Sequence, residues 1–400
     1  MSTSLITIAQ ARECVVRAIG PLGTESVPVQ DALGRVLASA VLATGDVPPF
    51  ACSAMDGYAV LAGPAGRELT VVGESRAGTP SQRRLAEREA IRISTGAAVP
   101  AGATAVIPQE DVSGYGELIG TTTPVAAGEH IRGPGEDLRA HTTVLTPGTR
   151  LGPVELGAAV AAGAGAVLAV RMPRVTVLCT GDELRAPGEP LAPGEIHNSN
   201  APMLTALAQR SGALTAPARR LADDRGATEA GIAAALERSD VVLISGGVSV
   251  GPHDHVKPAL AALGVQERFW GVSLQPGKPT WFGSREGKFV FGLPGNPVSA
   301  VVTFSLFAWP ALLGLQGARP VRCLEAKAVL GAEVPRNPRR EQAVRVRLQR
   351  LDGRTSAIPN GAQGSHILSS LLGADALAMI PPGEGTVQAG SCVALEELAY

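Results

Sequence analysis

Six short segments of this 400-residue chain gather the residue types that catalysis and anion binding use. The first is Thr180-Gly181-Asp182-Glu183 together with Gly194–Asn200 (GEIHNSN). A glycine after a strand lets backbone N–H groups approach an anion, and Asp182 and Glu183 can hold a metal or a polar ring. Taken alone, Asn200 reads as a helix cap; taken with the rest, it offers a helix's positive end. The second is Ser245-Gly246-Gly247-Val248-Ser249-Val250-Gly251, followed by Asp254. Three glycines and two hydroxyls suit a phosphate cradle, but the spacing is neither GxxxxGK[ST] nor GxGxxG. Asp254 could reach a metal or a ligand donor, or simply place charge at a helix start. His253 and His255 flank it without a third ligand nearby. The third is Gly292–Ser299 (GLPGNPVS), where Pro294, Gly295, Asn296 and Pro297 make either a stiff pocket wall or a sharp turn into a helix. The fourth, Pro276-Gly277-Lys278-Pro279, gives the Lys278 ammonium a fixed origin for phosphate or oxyanion, or is an exposed turn. The fifth pairs Asp56-Gly57, an ordinary turn signal by itself, with Thr95. The sixth is Arg345-Val346-Arg347 with Gly364-Ser365-His366. Arg345 and Arg347 share one strand face, which is either an oxyanion fork or a solvated surface.

The elements that must position these residues follow from periodicity. Thr7 and Gln10 form a capping-box pattern before an apolar repeat that ends at Gly20-Pro21. From about 47 to 148, short alternating runs between Gly/Pro turns predict a compact β domain. Leu156–Val170 returns to helical texture. Apolar strands at 174–179, 240–245 and 288–291 then alternate with helices from Asn200, over 227–238 and up to Leu263. That alternation predicts a parallel sheet covered on both faces, with ligands at the carboxyl ends of its strands. The glycine-rich segments at 180–183, 246–251 and 292–297 all fall at such ends. From Arg319 the texture is β again, and residues 319–354 carry a local excess of six positive charges.

Composition narrows the function. Lys plus Arg number 35 and Asp plus Glu 36, for a net charge of −1, which argues against a nucleic-acid binder. Hydrophobic residues are 45% and charged residues 18%, enough for a large core. Only Lys257, Lys278, Lys288 and Lys327 are lysines; arginine supplies the other cations. Five widely spaced cysteines (14, 52, 179, 323 and 392) contain no CxxC, so neither disulfides nor a zinc site is expected and a reducing cytoplasm fits. The start of the chain has no basic-then-apolar leader pattern. Val298–Leu315 approaches membrane-spanning length, but Ser299, Thr303, Ser305 and Pro310 interrupt it, and a buried helix is expected.

Together SAMDGYA, TGDEL, GEIHNSN, SGGVSVG with Asp254, PGKP, GLPGNPVSA and QGSHILSS, in this order over nearly the whole chain, resemble the molybdopterin molybdenumtransferases, which include the E domain of gephyrin. The resemblance implies a multidomain α/β plus β chain. An N-terminal mixed or β region (1–172, with a β domain inserted at about 47–148) would precede a doubly wound α/β pterin-binding domain (173–318) and a C-terminal β-barrel-like domain (319–400). It implies a transferase that takes adenylylated molybdopterin and molybdate as substrates, uses Mg²⁺ and releases AMP. It implies a homodimer whose active site is shared between chains, contacts with the molybdopterin adenylyltransferase and recipient molybdoenzymes, and neither nucleic acid nor membrane as partner. Glu183, Asp254, Lys278 and Asp56 would be catalytic, with Glu183 and Asp254 on the metal. Thr180, Gly181, Asp182, Asn200, Asp223, Ser245, Gly246, Gly247, Ser249, Gly251, Pro294, Gly295, Asn296 and Pro297 would bind substrate. So would Thr95 from the facing domain and Arg345 and Ser365 at the molybdate, with Asp137 a weaker match. The chain departs from the family at Gly271 and Gln275, where many relatives carry lysine. Two other functions suit the same α/β domain: a pterin carrier or scaffold without turnover, and a molybdopterin adenylyltransferase.

Overall fold

The computed structural model describes residues 5–248, 254–318, 327–351 and 353–400. At its centre is a seven-stranded sheet. Arg174–Thr180, Val241–Ser245 and Lys288–Leu293 run parallel side by side, with Leu214–Thr215 and Arg219–Leu221 parallel on the outer edge of the first. The alternation in Arg174–Thr180 sorts its side chains. Val175, Val177 and Cys179 face one core layer and Leu178 the other. The first layer is covered by helices Ile8–Ala18, Asn200–Arg210 and Pro297–Leu315, the second by Arg225–Arg238 and Val256–Ala262. This is the doubly wound arrangement expected, with one correction. Trp281–Arg285 and Gln266–Trp270 extend the sheet antiparallel, because the tight turn after Arg285 leaves no room for a crossover helix.

Helix Ile8–Ala18 begins as its sequence predicts: Thr7 Oγ1 accepts from Gln10 N–H, and Gln10 Oε1 from Thr7 N–H. Over the most apolar 18-residue window of Pro297–Leu315, 83% is buried inside the protein, which fits a core helix. Pro310 has no N–H for the Leu306 carbonyl, and the helix widens into a π turn over Phe304–Ala308. Arg12 Nε donates to Leu306 O instead at 3.3 Å, while its terminal nitrogens fork onto the Glu396 carboxylate, both at 2.7 Å.

The helical reading of 156–170 holds only in part. The helix is Pro153–Ala161, and Ala166–Val170 is a strand paired with Thr24–Pro28. Its β-branched and small residues fill a separate core with Val27, Leu37 and Leu151. Between these lies a six-stranded sheet built from residues 57–121, with apolar layers on both faces. In the C-terminal region Glu341–Leu351 pairs with both Arg354–Pro359 and Ala376–Ile380, which closes the strands into a barrel. Its residues Ala343, Leu371 and Leu377 join the core of the central sheet.

Candidate active site

The carboxyl ends of the three parallel strands open into a cavity of about 710 Å³. Thr180, Glu183, Asn200, Ser245 and the run Pro294–Pro297 line it. Asn200 ties the strand ends together. Its Nδ2 donates to Ser245 Oγ at 2.8 Å and to Gly295 O at 2.7 Å, and Ser245 Oγ donates to Pro294 O at 3.3 Å. Asn200 is therefore not the helix cap; Asn198 Oδ1 accepts from Ala201 N–H in that role. Asn200 Oδ1 is buried and has no protein partner, an unsatisfied acceptor on a residue of the cavity wall.

The carboxylate of Glu183 folds back over Gly181, whose φ is +142°. A Cβ there would lie 2.5 Å from Glu183 Oε2, so only glycine permits this position. Asp182 and Asp223 clasp each other beside it: Asp182 N–H donates to Asp223 Oδ2 at 3.2 Å, and Asp223 N–H to Asp182 Oδ1 at 3.4 Å. Neither lines the cavity. Gly246 donates its N–H to Leu293 O, and Gly247 packs beside Val256 and Thr180. Trp270 Nε1 donates to Val248 O at 2.9 Å, and the Lys257 ammonium sits 4.3 Å over the same indole. Ser249 and Gly251 lie outside the described residues. Asp254, half-buried, begins the next described segment and does not line the cavity. Lys278 is exposed; its neighbour Pro279 forms part of the wall.

The C-terminal region completes the cavity. Ser365 Oγ accepts from Asn296 Nδ2 at 3.0 Å, Ser365 O accepts from Val298 N–H, and His366 and Leu368 line the wall. Arg345 is not in the cavity, nor on a solvated face with the exposed Arg347. It is 1% exposed, donating to Ser370 Oγ and to the carbonyls of Ala362 and Gly364. Burial pushes its pKa down to about 10. Arg345 thus holds the backbone that presents Ser365. Asp56 and Thr95 pair with each other, Asp56 Oδ1 accepting from Thr95 N–H at 2.7 Å and Oγ1 at 3.1 Å, and neither lines this cavity.

Sequence reasoning did not single out Asn198, His366 and Leu368, although all three stand inside quoted motifs. Cys179 also lines the wall; burial raises its thiol pKa to about 11 and keeps it protonated.

Three family models cover the chain: the MoeA N-terminal region (domain I and II) over residues 6–163, a probable molybdopterin binding domain over 176–314, and the MoeA C-terminal region (domain IV) over 327–398. The Haemophilus influenzae molybdopterin molybdenumtransferase is 34% identical over 98% of both chains. The Mycobacterium tuberculosis molybdopterin molybdenumtransferase 2 is 36% identical over 94% of this chain and 95% of that one. This chain belongs to the molybdopterin molybdenumtransferase family. Its fold matches a crystal structure of the Pyrococcus horikoshii molybdopterin biosynthesis MoeA protein with a TM-score of 0.81, at 31% identity over 98% of this chain and all of that one. Membership makes it a transferase of molybdenum cofactor biosynthesis.

Gly271 and Gln275, where the sequence resemblance leads to an expectation of lysine, have well-defined surroundings. Gly271 has φ +86°, and a Cβ there would meet Leu5 Cδ2 at 2.8 Å, so the backbone itself excludes a side chain without strain. Gln275 Oε1 accepts from Asn337 Nδ2, which links the PGKP segment to the C-terminal barrel.

Proposed function

We propose that this chain transfers molybdenum from molybdate onto adenylylated molybdopterin and releases AMP. The observation that carries this reading is the buried, unpartnered Asn200 Oδ1 at the strand ends, with Glu183 and the 294–297 loop around it. A pterin ring brings the N–H donors that such an acceptor requires. The exposed ammonium of Lys278 at the rim supplies charge for the phosphoanhydride. Ser365, held by Arg345 through Gly364, is itself off the wall but adjoins the wall residues Asn296 and His366, and its hydroxyl would serve the oxyanion from there.

Among the described residues no group of three ligating side chains stands close enough to cage a metal. Mg²⁺ needs no such cage, because it keeps several waters and shares one or two carboxylates with substrate phosphates. Glu183 would hold it, with Asp254 as the second carboxylate, and the ion would neutralise charge at the anhydride. Glu183 and Lys278 then orient the phosphates, while the prolines of the 294–297 loop fix the opposite wall.

Asp56 and Thr95 lie off their own chain's cavity. Their carboxylate and hydroxyl serve the cavity of a second copy in a homodimer, a cytoplasmic enzyme with the 1–172, 173–318 and 319–400 division and with cofactor-handling proteins as partners. The deciding experiment mixes purified protein with adenylylated molybdopterin, molybdate and Mg²⁺. AMP release that depends on molybdate and is lost in Glu183→Ala is expected. Tight pterin binding without AMP release would replace the transferase with a carrier.

A further inference from the structure

A second and larger cavity, of about 1100 Å³, lies at the amino-terminal end of the central sheet. It is distinct from the active-site cavity. Phe289 lines it at the start of strand Lys288–Leu293, whereas Leu293, at the other end, leads into the 294–297 loop of the first cavity. Four residues of strand separate these ends by roughly 13 Å.

Arg17, Arg268 and Arg285 line the second cavity, against the two carboxylates Glu13 and Glu286, which leaves one positive charge in excess. Two of the guanidinium groups are anchored by one neutral hydrogen bond each. Arg268 Nε donates to Ser284 Oγ at 3.1 Å, and Arg285 Nη1 donates to Leu263 O at 2.7 Å. These bonds hold the planar groups while leaving other N–H directions unused. Among the described residues no carboxylate forms an ion pair with Arg268. Arg285 has only the adjacent, exposed Glu286, at 3.7 Å from its Nε. Arg17 is paired with Glu13 one helical turn away, where both are in water and the pair is weak. Cations fixed this way cost little further ordering when an anion arrives, and a guanidinium fork matches phosphate oxygens. Beside them, Ala18, Leu263 and Phe289 supply an apolar wall that a bare inorganic anion would not use.

We infer that this cavity is a second binding site, for an organic phosphate of nucleoside-diphosphate size, with Arg268 and Arg285 on the phosphates and the organic part against Leu263 and Phe289. The site is separate from the one that takes the family's substrates, so its failure leaves the transferase reading untouched.

The test is calorimetric titration of the full chain with ADP and with pyrophosphate. Saturable ADP binding is expected. Arg268→Ala and Arg285→Gln should each weaken it by about tenfold, the loss of one charged hydrogen bond, while Glu183→Ala, at the other cavity, should leave it within about twofold, well short of that loss. Two substitutions guard against misfolding of either one. No saturable ADP binding would overturn the inference, as would binding that falls with Glu183→Ala but not with the arginine variants. Pyrophosphate binding as tightly as ADP would overturn the organic part of the assignment.

Discussion

Asn200 and Ser245 stand 45 positions apart in the chain, yet Asn200 Nδ2 lies 2.8 Å from Ser245 Oγ, and the same amide reaches Gly295 O at 2.7 Å. One side chain thus fastens the ends of two neighbouring strands, Val241–Ser245 and Lys288–Leu293, to the start of helix Asn200–Arg210. Asn200→Ala removes both buried bonds, and a stability loss of about 1–3 kcal/mol is expected in urea unfolding. It also removes the free Oδ1, so pterin affinity should fall at least about tenfold. Unchanged pterin affinity in a folded Asn200→Ala protein would refute the role given to this acceptor.

Trp270 touches neither cavity wall but donates to Val248 O, at the end of the described part of the glycine-rich loop. Trp270→Phe keeps an aromatic face for Lys257 and loses this bond. The expected result is about a fivefold rise in KM for adenylylated molybdopterin, equivalent to about 1 kcal/mol, with kcat nearly unchanged. A purely structural role would instead lower stability and leave KM alone.

Gly271 and Gln275 should respond differently when replaced by lysine. Gly271→Lys forces a side chain into a left-handed backbone and should cost about 1–3 kcal/mol of stability. Gln275→Lys breaks only the amide link to Asn337 and should fold normally. Equal thermal stability of the two variants would contradict the strain argument.

Sharing of the site across two chains can be read by complementation. Asp56→Ala and Glu183→Ala should each be inactive alone. Unfolded, mixed and refolded together, they should recover about a quarter of wild-type activity, because half the dimers are mixed and one of their two sites is intact. No recovery would place Asp56 and Glu183 in the same chain's site or remove Asp56 from it.

Cys179 gives a pH signature. Its folded pKa is raised from 9.0 to about 11 by burial, so between these values the folded state keeps a proton that the unfolded chain loses. The associated stability is fully present below pH 9 and is lost as pH rises through 11. At pH 8 iodoacetamide should therefore label the exposed Cys392 and spare Cys179. Rapid labelling of Cys179 in the native protein would show that its environment is open.

Much of this was legible in the residues. The capping box at Thr7 and Gln10, the apolar strand runs and the glycine loops at their ends are local patterns, and local patterns survive folding. Three features were not. Asn200 looked like a cap because its spacing from the helix is that of a cap; only the neighbouring strands reveal where its amide points. Arg345 alternated like a surface residue, yet the barrel closes over it and neutral carbonyls take its donors. Residues 166–170 continue an Ala- and Gly-rich helical texture but pair with Thr24–Pro28, a partner about 140 residues distant. Each failure is a tertiary contact overriding a local preference.

The bond from Arg12 to Leu306 O, with its fork on Glu396, bears on how the molecule is made. It brings residues 12 and 396 to one point against the core helix. On the ribosome, that junction stays open until residue 396 has emerged, so this side of the central layer is closed only after the barrel strands before it have been made.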